Sequence, residues 1–192
     1  MSSSARDLGS DGAAAPLERL RTRIRLASWF AAVGEPLTSA ERWDARAYLA
    51  ALGFSESGVE GVGDWPAAAA IAKSPGWSRE WWDREEAERT RLLSVAATRQ
   101  PEHELMAALS RVMELAASVT HGAAAIAAAR SGIADQSLSR VAAGAAAQAA
   151  YQAALAALAA EEGGEHPFSI KFRLFEAGRW PLGISDGVFH LF

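Results

Sequence analysis

The segment from Pro101 to Ala160 limits what this chain can become more than any other part of it. Alanine dominates it, no proline follows Pro101, and Ser131–Gly132–Ile133 makes its single tight break. Alanine has the highest helix propensity because it gives up no side-chain freedom on folding. The pattern therefore predicts two long helices, about Pro101 to Ser131 and Asp135 to Ala160, with Asp135 as the second N-cap. In the first, Leu105, Leu109, Val112, Ala116, Val119, Ala123 and Ile126 form a continuous stripe. The short connection predicts antiparallel packing. Gly122, Ala123, Gly144 and Ala145 are expected in the contact, where small side chains let backbones approach to the near end of the usual ~8–10 Å. The stretch from Ala116 to Ala134 is interrupted by Ser118, His121, Arg130 and Ser131, and alanine is too weakly apolar to drive insertion, so buried helices are expected rather than membrane spans.

Shorter helices precede this pair. One is expected from Leu17 to Val33, with Pro16 near its start and Leu17, Leu20, Ile24, Ala27 and Ala31 on one face. Arg19, Arg21, Arg23 and Arg25 fan around its outside, as a solvated surface does. Thr38 and Glu41 form a capping box for a helix over Ser39 to Leu52, which Gly53 stops. The three glycines between Phe54 and Gly63 read as a loop. Asp64 caps a short helix, Ala67 to Lys73, and Ser78 caps a longer one, Arg79 to Ala97. The longer helix is laced with Glu80–Arg84, Arg84–Glu88 and Glu85–Arg89 at i,i+4 spacing. Residues 1–15, rich in Ser, Gly, Asp and Ala, read as a disordered lead-in without the apolar stretch of a signal peptide, which makes a cytoplasmic protein the expectation.

Beyond Gly163 and Gly164 the hydrophobic period shortens to two. Phe168, Ile170, Phe172 and Leu174 alternate with Ser169, Lys171 and Arg173, the pattern of a strand with one buried face. Trp180, Leu182 and Ile184 continue it, with Pro181 confining that strand to an edge or bulge, and Val188 to Phe192 makes a third. The fold expected is mostly α: a helical bundle over residues 16–164 with a small antiparallel C-terminal β-meander, residues 165–192, packed on it as an α+β appendage.

Function is less legible. The net charge is −4 and neither half is basic, which disfavours nucleic acid. With no cysteine, disulfides, thiolate catalysis and Cys-based metal sites are excluded. His103, His121, His166 and His190 make neither His-x-x-x-His nor Glu-x-x-His pairs, so no metal or cofactor is expected. Ser110, Glu114, Ala117 and His121 share a helix face, yet Glu114 and His121 stand two turns, about 10 Å, apart, too far for an acid–base pair. No Gly-x-Ser-x-Gly elbow occurs. Six of the seven tryptophans fall between Trp29 and Trp82, where they suit the anchoring of short helices.

The candidate binding residues are Arg130, on the apolar stripe; His166; and Arg179 with Trp180, in an Arg-Trp-Pro-Leu-Gly turn segment. Gln148 and Gln152, one turn apart, need partners if buried. Two readings follow. One is a non-catalytic interaction protein of adaptor, accessory or immunity type, presenting a helical face or the edge strand of the tail to a partner protein; a homo-oligomer is compatible with it. The other is a small-molecule-binding or enzymatic domain with a pocket between the helices and the C-terminal sheet, lined by Arg130, His166, Arg179 and Trp180.

Overall fold

The computed structural model describes residues 8–134, 136–159 and 165–192. Among them are seven helices and a three-stranded sheet, a mostly α bundle with a small β appendage. The helices are α1 (Leu8–Leu26), α2 (Ser39–Ala51), α3 (Trp65–Ala72), α4 (Arg79–Arg99), α5 (Glu102–Arg130), α6 (Gln136–Ala159) and α7 (Pro167–Glu176). The strands are β1 (Gly58–Gly61), β2 (Pro181–Ser185) and β3 (Val188–Leu191).

α5 and α6 pack along their length as the spine of the bundle, with the Thr120 hydroxyl donating to the Ala143 carbonyl across the contact. The stripe expected on α5 holds through Leu105, Leu109, Val112 and Ala116 and then rotates away. Thr120, Ala124, Ala127 and Ala128 are buried in the second half, whereas Ile126 is 56% exposed. The contact is built from alanines, among them Ala142, Ala143, Ala146 and Ala147, while Gly122 and Gly144 face outward. Both helices are long and apolar enough by composition to cross a membrane, and two thirds of that stretch of α6 is buried inside the protein. Asp135, Gly163 and Gly164 lie outside the described residues.

The capping boundaries stand where the sequence puts them. Thr38 and Glu41 form a complete capping box on α2, Asp64 accepts from the Ala67 N–H, and Ser78 accepts from the Trp81 N–H. α1 differs. It starts at Leu8, inside the stretch expected to be disordered, carries Pro16 in its interior, and ends at Leu26 instead of Val33. The chain then wraps around the end of α7: Ser28 N–H donates to Glu176 O and Ala32 N–H to Gly178 O. Phe30 adopts a left-handed conformation there (φ 59°) and is fully buried against Phe175. Gly178 makes the approach feasible, since at φ +88° a Cβ would stand 2.8 Å from the Ala32 nitrogen.

The largest correction is at residues 167–176, which form a helix and not a strand. Phe168, Phe172 and Phe175 are spaced i, i+4, i+7 and enter the core shared by α1, α5 and α6; Ile170 and Leu174, on the opposite side, enter a second core with Tyr48, Leu49, Trp81, Ile184 and Phe189. A helix buried on both sides places apolar residues at i, i+2 and i+4, which imitates a half-buried strand. His166 at the N-cap and Pro167 in the first turn are the local signals of a helix start.

The sheet is consequently mixed and not an antiparallel meander. Its order is β1-β3-β2, with β3 antiparallel to β2 and parallel to β1, the segment read as loop. Gly-Val-Glu-Gly has little strand preference of its own; β3 imposes the conformation, pairing Gly58 with Val188 through Gly61 with Leu191. Other segments add a few hydrogen bonds along the sheet and its β2–β3 turn. Ser78 N–H donates to Ile184 O, Asp186 N–H to Gly76 O, and the Arg42 guanidinium to Val59 O. The tail is docked as well, with Phe192 N–H donating to Trp180 O at 2.9 Å.

Candidate functional site

α2, α4 and α7 meet around a closed polar cluster. Lys171 Nζ donates to both oxygens of Glu85, at 2.6 and 2.8 Å. The Tyr48 hydroxyl donates to Glu85 Oε1, and Trp81 Nε1 donates to the Tyr48 oxygen at 3.0 Å. The Lys171 ammonium also stands 5.6 Å from the centre of the Trp81 ring. All four side chains are buried. Burial, with the Glu85 carboxylate beside it, pushes the Tyr48 pKa well above the ordinary tyrosine value, so the phenol stays neutral and donates. Sequence reasoning misses this cluster because the i,i+4 spacing pairs Glu85 with Arg89, whereas Arg89 holds Glu86. The signal was present: Trp81, Glu85, Leu92 and Ala96 share one stripe of α4, which puts a carboxylate on the inward face.

Arg179 anchors a second closed cluster. Its Nε and Nη2 hold the two oxygens of Glu41 at 2.8 and 3.1 Å; Nη1 donates to the carbonyls of Ala32 and Glu35, and Nη2 to that of Pro36. All five guanidinium N–H groups are thereby used. Burial works against the charged form of Glu41, but Arg179 and the Thr38 N–H and hydroxyl outweigh it and hold the carboxyl below its ordinary value. A third link, Arg173 bidentate on Asp44 at 2.8 and 2.9 Å, ties α7 to α2.

The four residues singled out from the sequence are dispersed. Arg179 is saturated by internal acceptors. Trp180 is buried, its ring 6.0 Å from that of Trp65 and 6.4 Å from that of Phe192. His166 caps α7: its Nδ1 accepts from the Phe168 N–H at 3.1 Å, which assigns the proton to Nε2, 2.8 Å from Glu88 Oε1. Arg91 foremost, then His166, lowers the Glu88 pKa against the opposing effect of burial. Arg130 lies exposed in the last turn of α5. None of the four lines either cavity described next. Among the described residues no three His, Asp or Glu side chains gather as metal ligands would.

Two cavities stand open among the described residues. A groove of about 390 Å3 lies where α4, α5 and α6 meet, lined by Trp82, Glu86, Arg89, Met113, Gln148 and Tyr151. Trp82 is 40% exposed there and is braced by Trp77, with ring centres 5.9 Å apart. Arg89 grips Glu86 through Nε and Nη2, and that contact raises its pKa further, against the effect of burial. Gln148 is half-buried in the groove wall. Gln152, one turn further along α6, is fully buried with neither amide atom hydrogen-bonded among the described residues. A second, mostly apolar pocket of about 330 Å3 lies between α3 and the start of α6. In comparisons with known proteins, no family model, no curated protein and no solved structure matches this chain.

Proposed function

We propose that this chain is a non-catalytic interaction protein, of adaptor, accessory or immunity type, and that it offers the α4–α5–α6 groove to a partner protein. The observation that carries the reading is the lining of that groove. Trp82, Arg89, Tyr151 and Met113 are the residue types enriched at the centres of protein interfaces, and Trp, Tyr and Arg supply most hot spots. Each is mounted on a helix of the bundle, so little ordering cost remains to be met on binding. The Glu86–Arg89 pair forms a rim already neutralised from within, suited to a partner that inserts an apolar or aromatic side chain beside Trp82. Two further observations support the non-catalytic side. The groups that resemble an acid–base constellation, Tyr48, Glu85 and Lys171, are closed off from solvent, and Arg179 has no donor left for a substrate anion.

Site-specific photo-cross-linking tests the reading. A benzophenone amino acid at position 82, in the full chain expressed in its own host, is expected to trap one dominant protein. The same probe at Ser118, on the exposed outer face of α5, is expected not to trap it. Equal capture of that protein from both positions, or none from position 82, would overturn the proposal.

A further inference from the structure

The pocket between α3 and α6 is separate from the groove and shares no lining residue with it. We infer that this pocket is a binding site for a small amphiphilic carboxylate, an organic acid with an apolar body and one anionic end.

Its walls are Trp65, Pro66, Ala69, Ile133, Leu138 and Val141, so the contact surface is overwhelmingly apolar. At about 330 Å3 it falls within the range of small-ligand sites, roughly 300–1,000 Å3. Its floor is rigid. The Trp65 indole is buried edge-on against Phe192, ring centres 5.2 Å apart, and packs on Trp180 at 6.0 Å. A preformed apolar wall loses little entropy on binding. Val141 at the rim is 56% exposed, an apolar side chain left in water on a helix that buries most of its length.

One observation chooses the ligand's polar end. Among the described residues of the lining Lys73, at the C-cap of α3, is the one charged side chain, and its ammonium has no ion-pair or hydrogen-bond partner among the described residues. A compact ammonium beside an apolar cavity complements a single anionic group. A cationic or purely hydrocarbon ligand would leave that charge unanswered.

Octanoate is the probe, with 1-octanol as its uncharged counterpart and titration calorimetry on the full chain as the readout. Octanoate is expected to bind saturably at one site and octanol about tenfold more weakly. Lys73→Gln is expected to lower octanoate affinity about tenfold and leave octanol unchanged. Ala69→Trp fills the pocket and Val141→Glu sets a like charge at its rim; each is expected to abolish octanoate binding. Val141→Glu lies at an exposed helix position, so it answers the question even if Ala69→Trp fails to fold. No saturable octanoate binding, equal affinity for octanoate and octanol, or full binding by the folded Val141→Glu protein would each overturn the inference.

Discussion

Removing the cation from the cluster between α2, α4 and α7 should damage the fold far more than removing the whole ion pair. In Lys171→Met, the thioether fills most of the space of the lysine stem, so the main change is electrostatic. The Glu85 carboxylate, with a side chain 2% exposed, loses two hydrogen bonds of 2.6 and 2.8 Å and its one ion-pair partner among the described residues. Only the Tyr48 hydroxyl still donates to it. Leaving one member of a buried pair uncompensated costs about 3–5 kcal/mol, a large part of the ~5–15 kcal/mol that holds a typical domain folded. Lys171→Met/Glu85→Gln removes both charges and keeps an oxygen for Tyr48, so it should cost at least about 2 kcal/mol less than the single variant. Urea unfolding followed by tryptophan fluorescence at constant slope measures both, and Trp81 reports from within the cluster. A Lys171→Met cost below about 1 kcal/mol, or a double variant as unstable as the sum of the two singles, would refute the reasoning.

Three other predictions concern neighbouring features. Arg179→Lys keeps the charge but cannot serve five acceptors; stranding backbone carbonyls among Ala32, Glu35 and Pro36 should cost about 2 kcal/mol or more in chemical denaturation. Gly178→Ala must hold φ near +88° with its methyl 2.8 Å from the Ala32 nitrogen, so its melting temperature should fall by several degrees, equivalent to about 1–3 kcal/mol. The folded pKa values of Glu41 and Glu88 lie below those of the unfolded chain, which therefore takes up more protons as pH drops. Their contribution is complete above the unfolded glutamate value of about 4.3 and is lost as pH falls below it. A melting-temperature series from pH 7 to pH 3 should show that decline, and Glu41→Gln should flatten it.

Local chemistry was the readable part of the sequence. Thr38, Glu41, Asp64 and Ser78 fix their helix starts through bonds within three residues of themselves, so no distant contact could overrule them. The features that depend on distant segments were hidden. α7 alternates like a strand because two cores meet on it, and nothing in Phe168–Leu174 alone reveals the second. β1 is a strand because β3 lies beside it. The α5 stripe failed for a geometrical reason: its members repeat every 3.5 residues, while a straight helix turns every 3.6, a drift of about 20° per heptad. Three heptads from Leu105, that drift has carried Ile126 out to solvent. The same limit governed the site residues. Arg179 and Trp180 were conspicuous because they are costly to place, and the structure meets that cost with Glu41, three backbone carbonyls, Trp65 and Phe192. Of the groove, only Gln148 stood out as a polar group in need of a partner, since Trp82, Arg89, Met113 and Tyr151 come together from three helices.

The affinity of the protein trapped at position 82 for defined variants tests the interaction reading most directly. Arg89→Ala and Tyr151→Ala change side chains that are partly exposed on the groove, so circular dichroism and melting temperature can confirm that the fold is intact. If the groove is the docking surface, at least one of them removes about 2 kcal/mol of binding, roughly a thirtyfold rise in Kd, while Arg130→Ala leaves Kd unchanged. Unchanged affinity in both groove variants, with the fold intact, would contradict the account.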